Sequence, residues 1–242
     1  MPREEVSDIR KLKFSRRLWF IGPIAAIVAL FLMASMVYIY EKPGGLADWR
    51  YSRATGLKET IRIPIGRTPE EAVQKFRNSN QKVVHKEFLN RGALLFLEGF
   101  KEKGRTSLQL EFVRETWIGG WKWEMGGGYG ISVHPDTHLL NYMSMPSNKG
   151  IIGPFPIVFG EVVNPSVSKV KVIIEGEGSG EKEAKIVDYG REQRLWYAVL
   201  PKAASTPYTI EALDEKGGII ASQTVEDQTD SDSIPSMSAA VR

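Results

Sequence analysis

Residues 18–40 read LWFIGPIAAIVALFLMASMVYIY, and this stretch decides how the rest of the chain is placed. The run lies between Arg17 and Glu41 and holds 23 residues without a charge. As a helix it measures about 35 Å, enough to cross a hydrocarbon core of about 30 Å with some tilt. Trp19, Phe20, Tyr38 and Tyr40 fall at its two ends, where amphipathic rings favour the interface. Pro23 sits in the first turns, where a missing N–H costs least. A cleaved secretory signal would have a shorter apolar core, about 7–15 residues, and a small-x-small exit. The exit here is Met36-Val37-Tyr38-Ile39-Tyr40, so the stretch reads as a retained anchor.

Charge sets the expected orientation. Residues 1–17 carry six cations (Arg3, Arg10, Lys11, Lys13, Arg16 and Arg17) against three anions, whereas Lys42 alone follows directly after Tyr40. The positive flank stays cytoplasmic, which predicts the N-terminus with its basic leader inside and Pro43 to Arg242 outside. Of the 32 basic and 29 acidic side chains, 26 of each lie beyond the leader, so no basic domain remains for a nucleic acid. There is no cysteine, which removes disulfides, thiol nucleophiles, thiolate metal sites and lipid attachment at cysteine.

After the anchor, residues 41–58 read as a stalk opened by Glu41-Lys42-Pro43-Gly44-Gly45, with Trp49 and Tyr51 either resting on the headgroups or packed on the domain. Ile61, Ile63 and Ile65 alternate as a strand. Thr68-Pro69-Glu70-Glu71 then has the parts of a helix start: a capping threonine, proline at the first position and a capping-box glutamate. Ala72, Val73 and Phe76 supply the apolar stripe. Strands follow at Lys82–Leu89, Ala93–Phe100, Ser107–Trp117, Trp121–Met125 and Leu139–Met145, with Gly126–Gly130 as a flexible loop. One helix and an antiparallel meander predict an α+β roll over residues 59–145.

Proline and glycine between Pro146 and Pro156 mark a boundary. Residues 146–226 show no helical period. Strands are expected at Ile157–Val163, Val167–Ile174, Ala184–Tyr189, Leu195–Leu200, Tyr208–Leu213 and Ile219–Val225, and Gly176–Lys182 is expected to be a charged loop. Val170, Val172 and Ile174 alternate with Lys169 and Lys171, as in a strand wet on one face. This spacing predicts an all-β immunoglobulin-like sandwich. Residues 227–242, polar and small, read as a disordered tail.

Three segments carry a resemblance: Thr68-Pro-Glu-Glu-Ala-Val-Gln-Lys-Phe76, Gly120-Trp-Lys-Trp-Glu-Met-Gly-Gly-Gly128, and Phe159-Gly-Glu-Val-Val-Asn-Pro165 followed by Val170-Lys-Val172. They resemble segments of uncharacterised single-pass surface proteins of Gram-positive, endospore-forming bacteria. The resemblance implies an envelope location and no activity.

Several groups invite chemistry. His134, Asp136 and His138 alternate and would bind a divalent ion if extended, but Pro135-Asp136 also fits a type I turn that splays them. Trp117, Trp121 and Trp123 form an aromatic run that would stack on sugars or a partner if exposed, and would be core if buried. Gly126–Gly130 lacks the lysine and helix of a phosphate loop. Ser166-Val-Ser-Lys169 has the Ser-x-x-Lys spacing but opens a strand, and no Lys-Thr-Gly follows. Asp227, Asp230 and Asp232 lack the turn glycine of a calcium loop. No catalytic residue and no cofactor is called for. The expectation is a non-enzymatic, single-pass extracytoplasmic binding or scaffolding protein that meets lipid through its anchor and a protein or cell-wall partner outside. The alternatives are an envelope hydrolase or metal enzyme, and an accessory subunit whose small residues Gly22, Ala25, Ala26, Ala29, Ala34 and Ser35 pack on another membrane helix.

Overall fold

The apolar run becomes part of one long helix, α1 (Glu4–Glu41), with Pro23 inside it. The structure, a computed structural model, describes residues 4–99, 105–132, 136–191 and 193–237, with backbone alone for 4–21 and 105–106. From Ile24 to Ile39 the large side chains of α1 are bare, and the helix is long and apolar enough to cross a membrane. Residues read as a stalk instead form a second helix, α2 (Leu46–Ala54), docked on the sheets through its buried Asp48 and Ser52.

Next come β1 (Ile65–Gly66), α3 (Pro69–Arg77), β2 (Val83–Leu89), β3 (Gly92–Glu98), β4 (Arg105–Glu115) and β5 (Trp121–Ser132). The strands form an antiparallel half-barrel in the order β1-β5-β4-β3-β2, with α3 against one face. The helix start matches the sequence reading. Thr68 Oγ1 accepts from Glu71 N at 3.2 Å, while the Glu71 carboxylate reaches Arg67 N at 2.7 Å, one residue before the cap itself. Thr68→Ala is expected to cost about 1 kcal/mol, read from urea melts. The predicted strand at Ile61–Ile65 shrinks to two residues, because Asp48 and Ser52 take the N–H groups of Ile63 and Ile61.

The glycine run is strand, not loop: β5 continues through Gly126–Gly130 to Ser132. A Cβ at Gly126 would collide with the Glu111 carboxylate, and one at Gly127 would lie 3.2 Å from Met143 Cε. These glycines make room for neighbours rather than bending the chain.

The remaining elements are β6 (His138–Met145), β7 (Ile157–Val162), β8 (Lys169–Ile174), β9 (Gly180–Glu183), β10 (Lys185–Asp188), β11 (Arg194–Val199), β12 (Tyr208–Leu213), β13 (Ile219–Val225) and β14 (Ser231–Pro235). They build two further antiparallel sheets, β10-β11-β7-β6-β14 and β13-β12-β8-β9. Strand β6, expected to extend the roll, pairs with β7 and β14. The expected tail contributes β14, whose Ile234 is buried in the core between these two sheets. The expected loop at 176–182 contributes the start of β9, an exposed edge paired with β8.

The layers stack as helix, half-barrel, middle sheet and outer sheet. Because β3 is covered on both faces, Ala93, Leu95 and Leu97 face α3 while Leu94 and Phe96 face the middle sheet. In β11 of the middle sheet, Leu195 and Tyr197 enter the core shared with the half-barrel, and Trp196 and Ala198 enter the core shared with the outer sheet. Continuous apolar runs are what a strand buried on both faces requires.

Candidate functional site at the end of the apolar helix

Where α1 ends, the chain must satisfy the last carbonyls of the helix and turn into the sheets. Gly44 takes a φ of 75°, and a Cβ on Gly45 would collide with Ile39 O, so only glycines make this bend. Asp48, in the first turn of α2, accepts from Gly44 N at 2.7 Å and Ile63 N at 3.0 Å. Lys122 of β5, 1% exposed, meets Asp48 Oδ1 at 2.5 Å and donates to Glu41 O at 2.9 Å. Arg114 of β4 grips both Glu41 oxygens at 2.8 Å and pairs with Glu124 on its other edge. The end of α1 is thereby bolted to the half-barrel through five charged side chains. Burial works against the charge on Arg114, but its bonds to Glu41 and the charge of Glu124 more than offset that and push its pKa up.

Two concavities flank the joint. On the sheet side is a cleft of about 580 Å³ whose lining includes Arg50, Arg91, Arg114, Glu115, Phe112 and Ile152. On the α1 side is an apolar groove of about 1080 Å³ between α1, from Leu30 to Tyr40, Leu46 of α2 and the β4–β5 turn residues Trp117 and Ile118. Tyr40 and Trp117 line both.

The predicted aromatic run is divided among three environments. Trp123 is core, stacked on Phe76 with ring centroids 3.9 Å apart and donating from Nε1 to Glu111. Trp121 is half-buried against the same core. Trp117 alone is open, 68% exposed, with the Arg91 guanidinium 3.6 Å over its ring. Of the three predicted metal ligands, His134 lies outside the described residues. Asp136 is exposed in a turn, and His138 opens β6. Among the described residues no group of three or more His, Asp or Glu is placed to hold a metal ion. Ser166 donates its backbone N–H to Asn164 Oδ1 at 2.9 Å in a turn, and Lys169 is exposed on the outer sheet.

Sequence reasoning missed the joint. Glu41, Asp48, Lys122 and Arg114 lie in three separated segments, and nothing local marks them as partners. The only local signal is Lys122 and Glu124 alternating with Trp121 and Trp123, which reads as an ordinary wet face.

A second buried carboxylate, Glu111, accepts from Arg77 Nε at 2.8 Å and Nη2 at 3.2 Å. Burial raises its pKa above the ordinary carboxyl value, despite lowering by Arg77. The folded state therefore binds this proton more tightly than the unfolded chain. Its contribution to stability is fullest below the unfolded value and is lost as pH rises through the folded one. In urea melts at about pH 5 and about pH 7, Glu111→Gln is expected to lose part of the wild type's gain on acidification.

Compared with protein-family models, curated proteins and solved structures, the chain gives no match, and its site is read from its own geometry.

Proposed function

We propose that this chain is a single-pass, membrane-anchored extracytoplasmic protein of the cell envelope, with a binding or scaffolding role and no catalysis. It would present its stacked sheets to another protein or a cell-wall component at a fixed height and tilt above the bilayer. The observation that carries this reading is the joint, in which buried Glu41, Asp48 and Lys122 tie the helix end to β4 and β5. A passive tether needs no buried charges, and burying them is costly unless every one is paired. The cleft beside the joint supports the non-catalytic reading. Its described lining has no His, Ser, Thr or Lys, and of its three glutamates Glu41 and Glu124 are engaged by Arg114, which leaves Glu115 without a second catalytic group beside it.

The two outer layers we read as an immunoglobulin-like sandwich. Strand order supports this: with β6 as A, β7 as B, β8 as C, β9 as C′, β10 as D, β11 as E, β12 as F and β13 as G, the sheets run D-E-B-A, with β14 added beyond A, and G-F-C-C′. The same joint favours a second role, an accessory subunit or signal relay, because a rigid connection passes a rotation of the span to the sheets.

The absence of cysteine makes topology directly testable. A Lys216→Cys variant, in the exposed β12–β13 hairpin, is expected to react with a membrane-impermeant maleimide on intact cells, and Lys11→Cys only after permeabilisation. The reverse pattern would overturn the orientation and the proposed workplace together. Swapping residues 22–36 for an unrelated apolar helix separates the roles: scaffolding survives the exchange and a relay does not.

A further inference from the structure

The groove and the cleft share Tyr40 and Trp117, and the chemistry of the walls differs on the two sides of these residues. Below Tyr40 and Trp117 the groove walls are Leu30, Met33, Val37 and Ile118. Residues 30 to 40 cover about 15 Å of helix, the depth of one leaflet of a hydrocarbon core of about 30 Å. The groove therefore opens at acyl-chain depth, and the β4–β5 turn lies alongside the span instead of above it. Trp117 and Ile118, 68% and 40% exposed, are apolar groups whose ordinary place is not water.

Above that line the walls are charged, with three arginines (Arg50, Arg91 and Arg114) and three glutamates (Glu41, Glu115 and Glu124). Glu41, Arg114 and Glu124 satisfy one another, as do Lys122 and Asp48. Arg50 and Arg91 remain, with Glu115 the other charged group of the lining, and none of the three has an ion pair among the described residues. Arg91, at φ 59° in the β2–β3 turn, is held over the Trp117 ring, immediately above the groove. An apolar slot one leaflet deep, capped by a tryptophan and then by two arginines, is an amphipathic site with the order of parts of a lipid.

We infer that this junction holds a glycerophospholipid of the leaflet on the side of the sheets, with an acyl chain between α1 and the β4–β5 turn and the phosphate on Arg91 and Arg50. The bound lipid fills the wedge between span and half-barrel and gives the protein a second hold on the membrane besides α1. A neighbouring membrane helix would fill the groove but leave the two arginines in excess over Glu115, the one unpaired anion of the described lining. The lipid supplies both parts. The inference rests on the spanning role of α1 that the proposed function also uses.

The test reconstitutes the full chain in vesicles of phosphatidylglycerol and phosphatidylcholine with brominated acyl chains, which quench tryptophan on contact. The fluorescence lost on Trp117→Phe reports Trp117, and that lost on Trp19→Phe reports the span. Trp117 fluorescence is expected to fall at least twofold in brominated relative to plain vesicles. The Arg50→Gln/Arg91→Gln variant is expected to retain at least fivefold less phosphatidylglycerol in native mass spectrometry. Quenching of Trp19 without Trp117 would overturn the lipid site and leave the membrane anchor standing. Loss of both would remove the anchor as well. Undiminished phosphatidylglycerol on the arginine variant would overturn the phosphate assignment.

Discussion

Lys122→Ala is expected to destabilise the protein by about 3–5 kcal/mol and to free the apolar helix α1 from the sheets. Lys122 has no route to water, and its ammonium is the counter-charge of Asp48 and the donor to Glu41 O at 2.9 Å. Removing it leaves a buried carboxylate held by two backbone N–H groups, and a helix-terminal carbonyl without this donor. Because those two N–H groups stay, the loss should fall toward the lower end of the range. That is still a large part of a domain's usual 5–15 kcal/mol. Two controls separate charge from packing. Lys122→Met keeps the stem but leaves Asp48 uncompensated, so it should be nearly as damaging. Asp48→Asn combined with Lys122→Met removes both charges and should recover much of the loss, giving a favourable coupling energy in the double-mutant cycle. Urea melts of the full chain in nanodiscs measure the stability. Trypsin reports the joint, since Arg53 and Lys58 should become cleavable at low urea in Lys122→Ala but not in the wild type. If both single variants melt with the wild type, the joint does not hold the span to the sheets.

Trp196→Ala is expected to cost about 3–5 kcal/mol and to unfold the sandwich and half-barrel in one transition. The ring is fully buried between the middle and outer sheets, and its Nε1 donates to Asn141 O at 3.0 Å. Gly160 on the adjacent β7 makes the space, since a Cβ there would lie 3.0 Å from Trp196 Nε1. Truncation leaves a cavity and strips a donor from a buried carbonyl. The single transition follows from the stack: the residues flanking Trp196 along β11, Leu195 and Tyr197, point into the other core. A disturbance of the middle sheet therefore reaches both cores. Trp117→Ala supplies the contrast, expected within about 0.5 kcal/mol because that ring is open to its surroundings. Two separated transitions for Trp196→Ala, or equal losses for the two tryptophans, would contradict the shared middle sheet.

The difference between these tryptophans shows what a linear reading can reach. Trp117, Trp121 and Trp123 look alike in sequence, yet one is bare, one half-covered and one stacked on Phe76. Burial is decided by whatever arrives on the far side of the strand. The same holds for Lys122 and Glu124, whose alternation reads as a wet face until α2 and the end of α1 cover it. The bond from Lys122 to Glu41 O spans 81 positions, and that from Arg114 to Glu41 spans 73. No local period carries such information.

What the sequence determined by itself was local. An uninterrupted apolar run makes a helix long enough for a membrane, Thr68-Pro69 with Glu71 starts α3, and alternation at Val170, Val172 and Ile174 places one face of β8 inward. Each follows from covalent geometry and solvent preference within a few turns or a few residues. Tertiary structure alone decided that β6 leaves the roll for the middle sheet, that Ile234 draws a polar tail into a strand, that glycines 126–128 stay extended, and that five charges meet where the span ends. Those outcomes depend on which distant surfaces exclude water from one another, and a hydrogen bond or ion pair becomes obligatory only once that exclusion has occurred.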